Sequence, residues 1–335
     1  MTISGKTILV TGASGFLGGT LAIRLAREGA KVKALVRFPE KGDFLRKHAN
    51  IEIVKGDISE AERMQEVTQD CSFVFHTAGL MGRAVKKSSL DHFRKINVEG
   101  TRNIMNAAVE GKVARIIYVS TIQVYGFPFL NEITEETPPK PTNDFYSISK
   151  AESEEVIKEI SNKNNFSFTI IRPGAIYGPG SNLWTKDIFK LAKRNPVFWV
   201  GPGKGVLPLI YIDDLVDLMI KTATHPAANQ EVFNAVMEKP PTIREYISKH
   251  SSLAGHQNWI GIPILMAIPF AHLISFFVKK NSKLKELPLL IKWLSQYRDY
   301  SMTKAAELLD WKPKTNLETG IKQSETWLRQ QGLVD

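Results

Sequence analysis

The stretch Thr7–Gly18, TILVTGASGFLG, constrains the fold more than any other part of the chain. A short apolar run, TILV, leads into a glycine-rich turn. GTLAIRLAREGA then shows helical apolar spacing before a glycine stop. Strand, tight turn and helix in that order open a βαβ unit, and Gly12, Gly15 and Gly18 stand three apart within it. Gly12 permits the tight turn, Gly15 lets backbone approach a pyrophosphate, and Gly18 lets helix and strand pack closely. A diphosphate would then meet free N–H groups at the positive end of the helix.

The alternation continues down the chain. KVKALVR reads as a strand ending at Arg37, IEIVKGD as one ending at Asp57, and SFVFHTAG, RIIYVST and FSFTIIRP as three more. Helical patterns in SLDHFRKINVEGTRNIMNAAVEG and SKAESEEVIKEISNK separate the later strands. This rhythm predicts an α/β fold with a doubly wound parallel sheet, of the Rossmann kind, with ligands beyond the carboxyl ends of its strands. An acidic residue after the second strand would bind the ribose 2′-hydroxyl of NAD, whereas arginine suits the 2′-phosphate of NADP. Arg37 is either that ligand or a solvated surface cation. NADP is the expected cofactor, with NAD as the other option.

Three segments carry catalytic chemistry. In YVSTIQVYG, Ser120 and Thr121 fall at the carboxyl end of a strand; in YSISK, Tyr146 and Lys150 share one helix face; RPGAIYGPG is a strand running into a Pro/Gly loop. A free tyrosine has a pKa near ~10 and is a poor base at neutral pH. A nearby ammonium, and an oxidised nicotinamide, would both favour its phenolate. Tyr146 would exchange a proton with an alcohol or carbonyl oxygen while hydride moves, and Thr121 would hydrogen-bond that oxygen. No histidine spacing suggests a metal site, and none is expected.

The marks TGASGFLG, GDI, HTAG, NVEGT, STIQVYG, YSISK, RPGAIYGPG and YIDDL, in this order, make the chain resemble the extended short-chain dehydrogenase/reductase family over nearly its whole length. The resemblance implies a catalytic triad of Thr121, Tyr146 and Lys150. It implies a cofactor site at Gly12, Gly15, Phe16, Leu17, Gly18, Arg37, Asp57, Ile58, Ala78, Gly79, Ser120, Tyr146, Lys150, Pro173 and Ile176, with Asp57 and Ile58 flanking the adenine. Asn97 is expected to support the strand ends. The resemblance further implies an interleaved architecture, in which residues 1–175 form the dinucleotide domain, completed by about 205–236. Residues 176–204 and 237–335 would form a smaller substrate lobe. It also implies a homodimer through the 91–110 and 146–160 helices.

Sugar-nucleotide dehydratases of this scaffold carry an Asp-Glu pair after the catalytic threonine. Here Ile122 and Gln123 stand there, and neither delivers the protons that elimination needs. Epimerases need no such pair and stay open. The stretch VFHTAGLMGR, the arginine after the second strand and the C-terminal AAELLDWKPKT segment are most similar to the 3β-hydroxysteroid dehydrogenase and dihydroflavonol reductase branch, whose substrates are lipophilic alcohols or ketones.

Trp259–Val278 contains no formal charge, and it precedes a basic segment in which Lys279, Lys280, Lys283, Lys285, Lys292 and Arg298 face one acidic residue, Glu286. Length allows a membrane span, but Pro263 and Pro269 interrupt it. A span would also leave YSMTKAAELLDWKPKT on the wrong side of the bilayer. Two readings remain: a broken helical element dipping into one leaflet of an anionic membrane, held by Trp259 and the lysines, or an apolar lid over the substrate cleft. Trp184, Phe198 and Trp199 either line that cleft or fill the lobe core. The formal charge of +10 comes without any nucleic-acid-binding motif, so no nucleic-acid partner is expected. One cysteine, Cys71, excludes an internal disulfide, and the N-terminus does not read as a signal peptide. The expected location is the cytoplasm, at the cytoplasmic face of a membrane if the apolar stretch meets one.

Overall fold

The computed structural model describes residues 2–81, 89–128, 130–278, 287–294 and 298–334. The first half alternates as expected. β1 (Thr7–Thr11), α1 (Phe16–Arg27), β2 (Lys31–Val36), β3 (Ile51–Lys55), α2 (Ala61–Thr68) and β4 (Phe73–His76) come first. A helical segment follows, with α3 (Leu90–Phe93), a π-type turn over Arg94–Val98 and α4 (Glu99–Glu110), and then β5 (Arg115–Val119). After the two-residue strand β6 (Glu132–Ile133), the long α5 (Phe145–Asn164) leads to β7 (Phe168–Pro173) and β8 (Ala175–Tyr177). Asp144 caps α5, accepting from Ser147 N–H, and Asn165 ends it in the left-handed conformation with φ 48°.

The rest of the chain follows. It contains α6 (Ile188–Ala192), β9 (Val197–Val200), β10 (Leu209–Tyr211), α7 (Ile212–Thr224), β11 (Glu231–Ala235) and α8 (Ile243–Leu253). β12 (Trp259–Ile262), α9 (Ile264–Phe277), α10 (Leu287–Leu294), β13 (Asp299–Tyr300), α11 (Thr303–Leu309) and α12 (Leu317–Gln330) complete it.

Seven strands form one parallel sheet in the order β11-β7-β5-β4-β1-β2-β3. Its central strands are apolar on both faces because helices cover both; Ile8, Leu9, Val10, Val74, Phe75, Ile116, Ile117, Ile170 and Ile171 are fully buried. The winding proceeds from β1 toward β3 on one side and from β4 toward β11 on the other, so the switch point lies between β1 and β4. A crevice opens there in such sheets.

Within 205–236, the segment expected to complete the sheet, one of two strands joins it, and the apolar stretch also differs from its reading. The strand within GVLPLIYI, β10, does not join the main sheet but pairs with β8; it is β11 that adds the last strand, against β7. The stretch from Trp259 is not helical from its start: Trp259–Ile262 pairs in parallel with Val197–Val200, and the helix begins only after Pro263. Pro263 restricts the residue before it to extended backbone, so the strand runs up to the proline and the helix follows. Among the described residues no helix is long and apolar enough to cross a membrane.

Candidate active site

At the switch point a cleft of about 280 Å³ is lined by residues that follow four strands. Gly12, Ser14 and Gly15 come after β1, Arg37 after β2, Gly56, Asp57 and Ile58 after β3, and Thr77 to Met81 after β4. The glycine turn earns its composition at two places. Gly12 has φ +71°, and a Cβ there would lie 2.8 Å from the Ala78 nitrogen. A Cβ at Gly18 would lie 2.4 Å from the Gly12 carbonyl oxygen. Gly15 stands at the N-cap of α1, which has no side-chain cap and no acidic residue in its first turn. Its leading N–H groups therefore suit a phosphate, and the residues present fit a dinucleotide diphosphate.

Of the expected cofactor residues, Gly12, Gly15, Arg37, Asp57, Ile58, Ala78 and Gly79 line this cleft together. Gly18 packs beneath it against β1. Phe16 faces Gly180, and Leu17 packs against the core, so these two lie behind the turn rather than on the cleft wall. Pro173 and Ile176 lie at the end of β7 and in β8, beyond the lining. Arg37 stands half-exposed just past β2, its Nη1 3.9 Å from an Asp57 carboxylate oxygen. Asp57 also accepts from the Ser59 N–H and Oγ at 2.9 Å. A second hollow adjoins the first at Arg37, lined also by Phe38, Lys55 and Glu60.

The catalytic candidates occupy the carboxyl end of β5 and the start of α5. Thr121 is buried just beyond β5, where its Oγ accepts from Gln123 N–H at 3.2 Å. Tyr146 is in the first turn of α5, and Lys150 lies one turn on, buried. The Lys150 Nζ sits 4.0 Å from the centre of the Tyr118 ring and 4.0 Å from where a Cβ at Gly79 would stand. It thus adjoins the cofactor cleft. Burial brings the Lys150 ammonium down to about 7, against the Glu154 carboxylate, which favours the charge. Burial pushes the Tyr146 phenol above its ordinary value, and the Asp144 carboxylate adds to that rise. The phenol of the protein alone is therefore a proton donor. It becomes a base only when added positive charge opposes those two effects.

Three features of the site were not anticipated from the sequence. The Ser120 hydroxyl donates to Glu154 Oε1 at 2.5 Å, so it is already committed within the protein. Arg172 holds that same carboxylate from the next strand. Ser14, Thr77, Leu80 and Met81 line the cleft; their only signal was adjacency to the glycine turn and to HTAG. Asn97 supports the strand ends. Its Oδ1 accepts from Leu80 N–H at 2.6 Å, and its Nδ2 donates to the Ser149 Oγ at 2.8 Å, tying the β4 loop to α5. His76 is buried between Thr11 and Thr101 hydroxyls at 2.8 and 3.1 Å, and burial, with Lys150 second, pushes it down to about 3.

Residues 8–235 match the model of the NAD dependent epimerase/dehydratase family. A sterol-4-alpha-carboxylate 3-dehydrogenase (decarboxylating) of Candida albicans is 26% identical over 98% of this chain and 99% of its own length. A 3beta-hydroxysteroid-dehydrogenase/decarboxylase of Arabidopsis thaliana is 26% identical over 96% of this chain, which spans 62% of that longer protein. The UDP-glucose 4-epimerase structure from Thermotoga maritima superposes with a TM-score of 0.77 at 21% identity, covering 97% of this chain and 99% of the other. With the family model covering the whole β1–β11 sheet, the chain belongs to the NAD-dependent epimerase/dehydratase family, an enzyme of the extended short-chain dehydrogenase/reductase type.

Proposed function

We propose that the protein is a dehydrogenase or ketone reductase that prefers NADP and acts on a lipophilic, sterol-like alcohol or ketone. The observation that carries the chemistry is the Lys150 Nζ, one helical turn from Tyr146 and beside Gly79 of the dinucleotide cleft, with the Ser120 hydroxyl bound to Glu154. A dinucleotide held by the glycine turn supplies the hydride acceptor or donor. Tyr146 moves the proton at the substrate oxygen, donating in the reductive direction, for which its raised pKa suits it. Thr121 hydrogen-bonds that oxygen and fixes its position. Lys150, with its charge poised near neutrality, stabilises the phenolate in the oxidative direction.

Support for the substrate class comes from the sterol dehydrogenase relative, aligned end to end, while Ile122 and Gln123 in place of an acidic pair speak against a dehydratase. Arg37 and Lys55 around the second hollow support NADP by supplying cations suited to a 2′-phosphate, and the residue that directly follows β2 is Arg37 rather than an acidic one, although Asp57 and Glu60 also line the hollow. The test is turnover of a panel of sterol-like and smaller lipophilic alcohols and ketones, followed by nicotinamide absorbance with each cofactor. The second reading, a nucleotide-sugar epimerase, is favoured by the family to which the chain belongs. A UDP-sugar that raised the melting temperature far more than any sterol would decide for it.

A further inference from the structure

We propose that the outer face of the C-terminal lobe, built from the β9–β12 ribbon and α9, docks on an anionic lipid bilayer surface. In the ribbon Ile260 pairs with Phe198 and Ile262 with Val200, so these four side chains share one face. Phe198 is 58% exposed, and Ile260 and Ile262 are exposed beside it. The opposite face carries Val197, Trp199 and Trp259, which pack inward on Ile243 and Ile247. Phe198 is therefore not lobe core, and Trp259 is half-buried against that core.

Through Pro263 this apolar face runs directly into α9. Leu265, Met266, Phe270, Leu273, Phe276 and Phe277 are between 54% and 88% exposed, and Ala271 is the one buried residue of the helix. At 3.6 residues per turn the six fall within one arc of about 140°, opposite Ala271. A surface helix ordinarily turns charged and polar residues outward; here the outward arc is the apolar one. Contiguous apolar surface of this kind marks an interaction site.

The occupant follows from what the surface lacks. Protein interfaces bring about one hydrogen bond per 100–200 Å² and a polar rim. From Trp259 to Val278 there is no formal charge, the Ser275 hydroxyl is turned back onto the His272 carbonyl oxygen at 2.8 Å, and the exposed His272 imidazole stands only at the edge of the apolar arc. Hydrocarbon asks for no hydrogen bonds. The 14 residues of α9, with Pro269 inside, reach only about 21 Å, so the helix would lie in the interface rather than cross it. The charge of the chain fits anionic headgroups. It is +10 overall, and the sequence leaving α9 carries Lys279, Lys280, Lys283 and Lys285 against Glu286, residues whose placement lies outside the described set. Arg298, grouped with these lysines in the sequence, is buried, and its Nε donates to the Pro128 carbonyl oxygen at 2.8 Å.

Sedimentation of the full-length protein with phosphatidylcholine/phosphatidylserine vesicles at low salt tests the proposal. The wild type is expected in the vesicle pellet. The variant carrying Leu265→Ser, Phe270→Ser, Phe276→Ser and Phe277→Ser should bind about tenfold more weakly or less still, with its melting temperature and dinucleotide affinity unchanged. Phe276→Ser alone should give a smaller loss. A wild type that stays in the supernatant overturns the proposal, and so does a fourfold variant that pellets equally well. An oligomer that dissociates in the variant, with no vesicle binding by the wild type, overturns it in favour of an interface between copies of this chain. None of these outcomes depends on turnover, so the catalytic reading stands or falls separately.

Discussion

Arg172 on β7 grips the Glu154 carboxylate on α5 through two hydrogen bonds, Nε at 3.0 Å and Nη2 at 2.6 Å, with both side chains removed from solvent. The carboxylate also accepts from the Ser120 Oγ, and the Arg172 Nη1 donates to the Tyr125 hydroxyl at 2.8 Å. One buried pair thus fastens the end of β5, the helix bearing Tyr146 and Lys150, and the neighbouring strand.

Removing one partner of such a pair strands a buried charge. Arg172→Met should cost about 3–5 kcal/mol of stability. The double variant Glu154→Leu/Arg172→Met, which removes both charges, should recover much of that loss. Urea unfolding measures both, and a double variant no more stable than the single one would show that the ion pair is not what holds this junction.

Tyr146→Phe removes only the phenolic hydroxyl. Turnover should fall by about 10²–10⁴-fold, while dinucleotide affinity, followed by quenching of protein fluorescence, stays as it was. Unchanged turnover would exclude Tyr146 as the acid/base.

Arg37→Ala should weaken NADPH by about tenfold or more and leave NADH nearly untouched, because only the former presents a 2′-phosphate to the guanidinium. The comparison is direct titration of each reduced cofactor. Equal losses would mean that Arg37 serves surface charge and its loose pairing with Asp57 alone.

Two buried bases tie stability to pH with the same sign. His76 is held down to about 3 while an unfolded histidine titrates near ~6.5, so between those values the unfolded chain binds the extra proton. Its contribution is complete above about 6.5 and is lost as pH falls toward 3. Lys150 is held down to about 7 against an unfolded value near ~10.4, so its charge costs most at and below neutrality and stability rises from pH 7 upward. His76→Gln should flatten the acid limb of a urea-midpoint profile between pH 7 and 4.5. Lys150→Met should be more stable than wild type at pH 6, with the difference shrinking by pH 9. A Lys150→Met variant that is less stable at pH 6 would contradict the burial cost.

Much of this protein is legible in its sequence because the determining patterns are local. The glycine turn is a steric requirement within a dozen residues: Gly12 turns with positive φ, and Gly18 packs against the Gly12 carbonyl as close helix–strand packing requires. The strand–helix rhythm through β7 follows from a period of two or of 3.6 residues, and the Tyr146–Lys150 spacing is one turn of a single helix. What escaped is non-local. β10 is apolar and strand-like, yet its partner is β8 and not the main sheet. Likewise Asp214 of YIDDL accepts from the Lys314 and Thr315 N–H groups, a hundred residues on, and so fastens the C-terminal segment.

The sequence by itself determined the glycine turn at the cleft, the one-turn spacing of Tyr146 and Lys150 and the uncharged run after Trp259, because each depends on residue type and short spacing. Tertiary structure decided which side chains those residues meet. It committed Ser120 to Glu154, buried Arg298, and folded the uncharged run as strand then helix with six large apolar side chains outward. Hydropathy records how much a side chain disfavours water. Whether water is what it meets depends on the elements that pack beside it, and those come from distant parts of the chain.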